Sequence, residues 1–183
     1  MAWATVTEWA RPRGVVYGPE KSKLLHFSRT HAVPTKTLSL DENTVIAPLN
    51  AVRFLGIWLD RKLLFSEHLQ QVKTRLKTQS YALTRLTGKT WGCTLPWART
   101  IYTAVLRSTA AYGASVFLPD DGNRRPTTSL HIIFHGYLRT VLGAYRSTPI
   151  HPLHSEAGIP PLNLYLTYRR ADFLSRPDYQ AKS

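Results

Sequence analysis

One stretch in the first half of the chain, residues 52–60, constrains the fold more than any other. It reads Val-Arg-Phe-Leu-Gly-Ile-Trp-Leu-Asp, and residues 52–59 are apolar enough to predict a mostly buried β-strand. Gly56 stands at its middle, where a glycine usually marks a bulge or the close approach of another backbone or a ligand. A basic, amphipathic helix pattern follows directly. The sequence therefore predicts a strand with a special central position and a helix behind it.

The helix pattern starts at Ser66, a residue type favoured at N-caps, and continues to residue 87 before Gly88, a natural stop. Its apolar residues recur every three, four or seven positions and form one stripe: Leu69, Val72, Leu76, Leu83 and Leu86. The opposite arc carries four cations: Lys73, Lys77, Arg85 and Lys89. Such an arc is suited to contact phosphates without reading bases, but an ordinary solvated helix face has the same pattern.

The charge balance of the whole chain indicates a polyanionic partner. Lys and Arg total 24 against 11 Asp and Glu, a formal charge of +13. Counterion release then favours RNA or DNA as the expected partner. Charge alone leaves two alternatives open, an acidic membrane surface or no specific partner.

The chain has a single cysteine, Cys93, so neither an internal disulfide nor a cysteine-based metal cluster is expected, and a reducing intracellular setting is favoured. Cys93 also lacks an evident base partner and is interpreted as a small half-buried residue. No segment approaches the roughly 18 apolar residues of a membrane span. We therefore expect a soluble intracellular protein with no membrane partner.

The regions around the central stretch are predicted as follows. Trp3, Val6 and Ala10 recur at helical spacing and indicate a short opening helix, ended by Pro12 and Gly14. Residues 14–29 predict a hairpin with strands at 15–17 and 24–27 around a Gly-Pro-Glu turn. Further β-like pieces lie at 37–40 and 44–47. A second helix is expected from Thr94 to Val116 and a third, strongly amphipathic one over residues 129–145.

Several groups of residues in this chain match, in order, a pattern known from one enzyme family. The first group consists of Trp9-Ala10, Gly14, Val15-Val16-Tyr17, Lys21 and Leu24-Leu25-His26-Phe27. The second is the run Phe54-Leu55-Gly56-Ile57-Trp58-Leu59-Asp60. The last two are Gly143-Ala144-Tyr145-Arg146 and Glu156-Ala157-Gly158-Ile159-Pro160. Together they resemble the reverse transcriptase of non-LTR retrotransposons, particularly the fungal ones, over roughly residues 8 to 170. An ordered series of matches is more specific than any one short motif.

The resemblance implies an α+β fold, with the terminal β-hairpins of a right-hand polymerase palm followed by a mainly helical thumb and connector. It implies a palm remnant with a primer-grip hairpin at 1–62, a helical thumb at 63–118, a loop at 119–128, and a connector at 129–183 toward an absent ribonuclease H domain. A nuclear location is also implied.

The resemblance further implies roles for individual residues. Phe54, Leu55, Gly56, Ile57 and Trp58 correspond to the primer grip, and Lys73, Lys77, Arg85 and Lys89 would follow the phosphates of an RNA or DNA primer–template. Lys21 corresponds to a lysine proposed to protonate departing pyrophosphate, a general-acid role that an ammonium can fill. A lysine beside a turn is more often a surface charge, and a single tryptophan such as Trp58 more often fills a core.

Two departures from the family pattern limit the expected chemistry. In the family a Tyr-x-Asp-Asp motif precedes the position matched by residue 1 and a ribonuclease H sequence follows the connector, and we expect this chain to lack both. Two-metal nucleotide addition needs clustered carboxylates, whereas the acids here are scattered. We thus expect a truncated RNA-directed DNA polymerase that contacts primer–template but is inactive alone. No cofactor is expected in it, since Mg²⁺ would belong only to a complete polymerase with palm and fingers supplied by an upstream sequence.

Two alternatives stay open, a repurposed basic nucleic-acid-binding module without enzymatic activity and a decayed element relic. No small-molecule substrate is expected for the chain alone. Other motifs are rejected. Asp120-Asp121 lies in a Pro/Gly turn and is interpreted as solvated, and Gly88-Lys89-Thr90 lacks the first glycine of a phosphate-binding loop. His131 and His135 lack the glutamate of a zinc-protease motif, so no metal site is predicted, and these two with His151 and His154 are interpreted as surface or capping histidines.

Overall fold

The computed structural model of the chain describes residues 2–30, 35–40, 44–86, 92–118 and 127–177. The chain forms two compact units, one of residues 1–68 and the other of residues 69–183. The mixture of helices and small sheets is compatible with the predicted α+β class. The assignment of these parts to palm, thumb and connector stays a prediction.

The first unit begins with the predicted helix, α1 (Ala2–Ala10), followed by a 3₁₀ turn (Arg11–Arg13). Gly14 ends it with φ 65°, a left-handed conformation that favours glycine. Another 3₁₀ turn covers Pro19–Lys21. The strands up to residue 49 are β1 (Leu24–Leu25), β2 (Leu38–Ser39), β3 (Val45–Ile46) and β4 (Pro48–Leu49). β2 and β3 pair antiparallel, which confirms the two β-like pieces predicted there.

The hairpin predicted over residues 14–29 is wrong. Residues 15–17 form no strand, and Val16 is 93% exposed. The Val15 N–H donates to the carbonyl of Ala10, which ties this segment to the end of α1. β1 pairs in parallel with β4 instead, in the register Leu24↔Pro48 and Leu25↔Leu49. A ladder with a distant segment has therefore replaced the local one that the turn residues indicated.

The single buried strand predicted over residues 52–59 is also wrong. The stretch folds back on itself as β5 (Ala51–Phe54) and β6 (Ile57–Asp60), which pair antiparallel. No residue of either strand is buried. Among the described residues of the first unit, Ala10 is the one apolar residue that is buried, so the hairpin has no packed layer of core residues behind it.

Helices make up the second unit. They are α2 (Ser66–Thr84), which starts just before the unit boundary, α3 (Leu95–Ile101), α4 (Ser108–Ala111), α5 (Ala114–Phe117), α6 (Thr128–Val141), α7 (Ile150–Ala157) and α8 (Leu162–Leu174). A π-helical segment, Tyr102–Arg107, joins α3 to α4 without a break. α3 and α7 each contact α6, and α5 contacts α8.

The three predicted helices are confirmed with shifted ends. The helix from Ser66 ends at Thr84. The helix from Thr94 is interrupted at Gly113, where φ is 72°, so its predicted last residues belong to the separate short helix α5. The third ends at Val141 and not at residue 145, because Gly143 is left-handed with φ 62°. The predicted loop at 119–128 lies mostly outside the described residues, including Asp120 and Asp121, and Thr128 already belongs to α6.

Three aromatic side chains form the centre of the second unit's core. The Tyr102 ring meets Phe134 edge-on at 5.5 Å between centroids and stacks on Tyr137 at 5.8 Å. All three are at most 1% exposed, and Leu106 and Leu138 are fully buried near them in the sequence. Burial of side chains of this size is the largest favourable contribution to folding. The core lies between α6 and the helix that runs through α3 and the π-helical segment.

Candidate nucleic-acid interface

Leu55 and Gly56 form the turn of the β5–β6 hairpin, with φ values of 46° and 86°. Positive φ at both central residues characterises a type I′ turn, which matches the twist of the paired strands. Glycine adopts this conformation without strain, whereas leucine at φ 46° does not. The turn alone accounts for Gly56, and the close approach of a nucleic-acid backbone at this position stays a prediction.

The five residues predicted as a primer grip are brought together in this one hairpin. Phe54 is 62% exposed and Leu55 77% exposed, so the tip presents apolar groups to solvent. Ile57 and Trp58 are half-buried on β6. Trp58 therefore does not fill a core, because a two-stranded hairpin has only its partner strand and nearby side chains for cover. An exposed apolar tip is a surface that other molecules can contact.

Asp60, the last residue of β6, organises the chain that leads into α2. Its Oδ1 accepts the backbone N–H of Leu64 at 2.8 Å and its Oδ2 that of Ser66 at 3.1 Å. Leu63 and Phe65 in this segment have φ 53° and 56°, uncommon for residues other than glycine. The carboxylate satisfies backbone donors at the start of α2, as an N-cap does, and its negative charge suits a helix N-terminus. The capping side chain of α2 is thus that of Asp60, and not that of Ser66 as predicted.

The amphipathic pattern of α2 is reproduced in part. Val72 and Leu76 are buried, whereas Leu86 of the predicted apolar stripe is 52% exposed. Of the predicted cations, Lys73 is half-buried on α2, Lys77 is exposed, and Arg85 lies exposed just after the helix. The guanidinium of Arg85 lies 5.6 Å from the ring centre of Tyr81, one turn earlier. Lys89 lies outside the described residues. The phosphate-binding role of these cations stays a prediction.

Lys21 is exposed at the end of the 3₁₀ turn Pro19–Lys21, and its backbone N–H donates to the carbonyl of Gly18 at 3.1 Å. This position leaves its ammonium group accessible. The general-acid role implied by the family resemblance stays a prediction.

Sequence reasoning missed a polar cleft of about 380 Å³ in the second unit. Arg99 and Arg107 line it from the helix that runs through α3 and the π-helical segment, and Gly158 and Ile159 line it from the end of α7. The Arg107 guanidinium lies 4.0 Å from the ring centre of Tyr165 on α8. In a regular α-helix the eight-residue spacing of Arg99 and Arg107 leaves their side chains about 80° apart, so the sequence carries only a weak signal for this pair.

A second cleft, of about 470 Å³, runs along α6 and the turn after it. Ile132 and Gly136 line it together with Arg139 and Arg146. Arg139 donates from its Nη2 to the carbonyl of Thr148 at 3.0 Å. The lining of this cleft is mainly apolar, so it is less suited to an anion than the first cleft.

Three of the histidines interpreted as surface or capping residues form a cluster between α6 and α7. The His135 ring lies 5.8 Å from that of His131 and 5.7 Å from that of His154. His154 is buried, so it is not a surface residue, and its Nδ1 hydrogen-bonds at 2.9 Å with the carbonyl of Ile159 just past the end of α7, which fits the other interpretation, a capping histidine. Burial, then the neighbouring histidines and Arg139, lowers the pKa of His135 to about 4. This arrangement keeps His135 neutral.

In the described part of the chain, no group of three or more His, Cys, Asp or Glu side chains is arranged to hold a metal ion. None of the described helices combines the length and the apolar character needed to cross a bilayer. Cys93 is half-buried and not in a disulfide.

Comparison with known proteins gives one informative match. The chain is 30% identical over 111 residues to a Drosophila melanogaster protein named "Probable RNA-directed DNA polymerase from transposon X-element". The aligned part covers 61% of this chain and 12% of the length of that protein. The chain is therefore related in sequence to a transposon RNA-directed DNA polymerase. No family model matches it, and no solved structure matches it.

Proposed function

We propose that this chain supplies primer–template contacts in a reverse-transcriptase-related protein of a non-LTR retrotransposon. The similarity to a transposon RNA-directed DNA polymerase over 111 residues carries the proposal. In this role the chain binds the sugar-phosphate backbone of an RNA or DNA duplex. We expect that it does not add nucleotides by itself, because the described residues contain no cluster of acidic side chains for two metal ions.

The β5–β6 hairpin supports a role in holding the primer end. A tip with two exposed apolar residues, Phe54 and Leu55, can pack against a sugar or a terminal base, and Gly56 leaves room for the backbone. Such contacts position a strand by shape and carry no sequence information. This suits a polymerase that copies any template.

The cations of α2 support the phosphate contacts. Lys73, Lys77 and Arg85 occupy the central part of one helix and its end, and none of them forms an ion pair with a carboxylate among the described residues. Each phosphate neutralised by such a cation releases counterions, so binding weakens steeply with salt.

A binding assay tests the proposal with a matched control. The variant K73Q/K77Q/R85Q removes three charges from α2 and its end, and R11Q/K36Q/R169Q removes three charges from exposed positions elsewhere. We expect the α2 variant to bind an RNA–DNA hybrid at least about tenfold more weakly and to reduce the log–log salt slope by about 0.9 for each phosphate that is no longer neutralised. The control is expected to change both much less. Equal weakening in the two variants would contradict specific contacts on α2 and leave only a net-charge effect.

Primer extension tests the second part of the proposal. The purified chain, supplied with a primed RNA template, nucleotides and Mg²⁺ or Mn²⁺, is expected to extend no primer. Extension above background that disappears in K21A would contradict it and would assign Lys21 a direct catalytic role.

If the chain is instead a stand-alone nucleic-acid-binding module, it binds an RNA–DNA hybrid with the same affinity, but this affinity does not depend on the tip of the hairpin. Binding of a hybrid with a recessed primer end, compared with a blunt hybrid, separates the two. A preference for the recessed end that is lost in F54S/L55S supports the primer-grip role, and equal binding of both ends favours the alternative.

A further inference from the structure

The Arg99–Arg107 cleft of the second unit carries positive charge with no compensating acid. No acidic residue is among the described residues that line it, and neither arginine forms an ion pair with a described carboxylate. Its volume of about 380 Å³ lies within the range of small-ligand pockets. A pocket of this size and sign is suited to an anion.

The π-helical segment explains why two arginines eight residues apart share one wall. In an α-helix, eight residues advance the side chain by about 80° beyond two full turns, which would turn Arg107 away from Arg99. A π-turn holds one more residue than an α-turn. With Tyr102–Arg107 in π geometry, the step from Arg99 to Arg107 corresponds to about seven residues of α-helix, which return to the same face. Single π-turns of this kind are frequent at functional sites.

Arg99 is held in place from the opposite wall. Its Nη2 donates to the carbonyl of Gly158 at 3.3 Å. The Cβ of a side chain at Gly158 would lie 2.9 Å from that nitrogen, a contact that the flexible arginine can relieve by a small shift, so the preference for glycine comes from φ 59°. One long hydrogen bond uses one of the five guanidinium donors and leaves the others for a ligand.

Arg107 is oriented by a ring and lacks an acceptor. Its guanidinium lies over Tyr165 at 4.0 Å, a cation–π contact that fixes the plane of the group. Its Nε is buried without a hydrogen-bond partner among the described residues. A buried charged donor without an acceptor is costly.

We propose that Arg99 and Arg107 form a phosphate-binding site, and that the phosphate belongs to a polynucleotide backbone contacted outside the α2 face. Planar guanidinium groups match the oxygen geometry of phosphate better than ammonium groups do. The choice of a polynucleotide over a free phosphate compound rests on the proposed function.

The competing explanation is structural. In this explanation Arg99 only donates to the carbonyl groups at the end of α7, where a cation is favourable. Arg107 only packs on Tyr165 and covers its ring. In that case removal of the arginines would lower the thermal stability but would not alter binding of phosphate or polynucleotide.

Two measurements on the full chain separate these explanations. The variant is R99Q/R107Q, and the control R11Q/R169Q removes two exposed charges elsewhere. First, about 10 mM pyrophosphate, compared with sodium chloride of equal ionic strength, is expected to raise the melting temperature of the wild type and the control but not of R99Q/R107Q. Second, R99Q/R107Q is expected to bind a fluorescent RNA–DNA hybrid about tenfold more weakly than the control.

Each outcome decides one point. If R99Q/R107Q binds the hybrid like the control while K73Q/K77Q/R85Q does not, the cleft is not a backbone site and the proposed function stands. If the wild type binds no hybrid but shows the pyrophosphate shift, the proposed function and the polynucleotide assignment fail, and the cleft takes a free phosphate compound. If the wild type neither binds the hybrid nor shows a rise in melting temperature with pyrophosphate, the structural explanation holds.

Should R99Q/R107Q not fold, R99K/R107K keeps both charges and tests the same point. Lysine cannot reproduce the planar fork of donors, so this variant is expected to lose the pyrophosphate shift while keeping the circular dichroism spectrum of the wild type. An undiminished shift in R99K/R107K would overturn the guanidinium site.

Discussion

The carboxylate of Asp60 accepts the backbone N–H of Ser66, so the last residue of the β5–β6 hairpin caps the first residue of α2. The same side chain accepts the N–H of Leu64 with its other oxygen. The sequence element that resembles the primer grip therefore ends in a residue with a clear structural role. An aspartate at this position does not require contact with nucleic acid.

We predict that D60A lowers the free energy of unfolding by about 1–2 kcal/mol, because it leaves two N–H groups at the helix start without their acceptor. Urea unfolding monitored by circular dichroism checks this. D172N, which breaks an exposed ion pair with Arg176 near the end of α8, serves as the control and is expected to cost less than about 0.5 kcal/mol. Equal effects in the two variants would show that the Asp60 bonds contribute nothing special.

The turn of the hairpin offers a substitution that should stabilise it. Replacing Leu55 by Asn creates Asn-Gly, the pair preferred in type I′ turns, and removes a leucine from a positive φ. We expect L55N to raise the free energy of unfolding by about 0.5–1 kcal/mol, while G56A lowers it by about 1 kcal/mol. Urea unfolding of both variants checks this. If Leu55 contacts the primer as proposed, L55N also weakens binding of a recessed hybrid end. A destabilised L55N would mean that the leucine side chain has packing that the better turn does not replace.

Tyr137 carries a hydroxyl group that folding buries at a cost. The side chain is 1% exposed, and its oxygen has no hydrogen-bond partner in the described part of the chain. Burial, with a smaller contribution from Cys93, raises the pKa of this phenol to about 12. We expect Y137F to keep or raise the free energy of unfolding, by up to about 1 kcal/mol, because it removes an unsatisfied group and keeps the ring. Thermal unfolding checks this against Y168F, an exposed control expected to change nothing. A decrease above about 1 kcal/mol would reveal a partner for the hydroxyl.

The histidine cluster predicts an acid-sensitive fold. The pKa of His135 is about 4 in the folded chain, against 6.5 when unfolded. Between these values the unfolded chain binds a proton that the folded chain does not. The free energy of unfolding therefore falls as the pH drops from about 6.5 to about 4 and levels off below.

We expect a contribution of about 1 kcal/mol from this residue, since the partly exposed ring is screened by solvent. Unfolding in urea at several pH values checks it. In H135Q the decline is expected to flatten, whereas H26Q, in the other unit, leaves it unchanged. Parallel declines in the wild type and H135Q would assign the acid sensitivity to other groups.

How far the sequence predicts this structure depends on how local each signal is. The stripe of Val72 and Leu76 and the glycine stop at Gly14 act within a few residues, and the helices they predict are present. The pairing of Leu24 with Pro48 joins segments that are distant in sequence, so no local turn signal could predict it. The residue pattern alone missed the hairpin at Leu55-Gly56, which the family resemblance implied, and it did so for another reason. Leucine is an unusual first residue for a type I′ turn, so the run has the pattern of a single strand.

The site residues follow the same division. The residues predicted as a primer grip are adjacent in sequence, so their proximity needed no tertiary information. Arg99 and Arg107 come together only because the helix between them widens, and the Tyr165 ring and the Gly158 carbonyl come from α8 and the end of α7. The periodicity of a regular α-helix separates the two arginines, and this hid the cleft.

The widened turn at Tyr102–Arg107 also makes this helix tolerant of a length change that would disrupt an ordinary one. Because the turn already accommodates one surplus residue, deleting a single exposed position such as Ala104 would restore regular winding and leave both flanks in phase. A relative with one residue fewer at this point can therefore keep both guanidinium groups on the same side of the helix. A sequence alignment that treats every gap as a break in the helix would overlook such a relative.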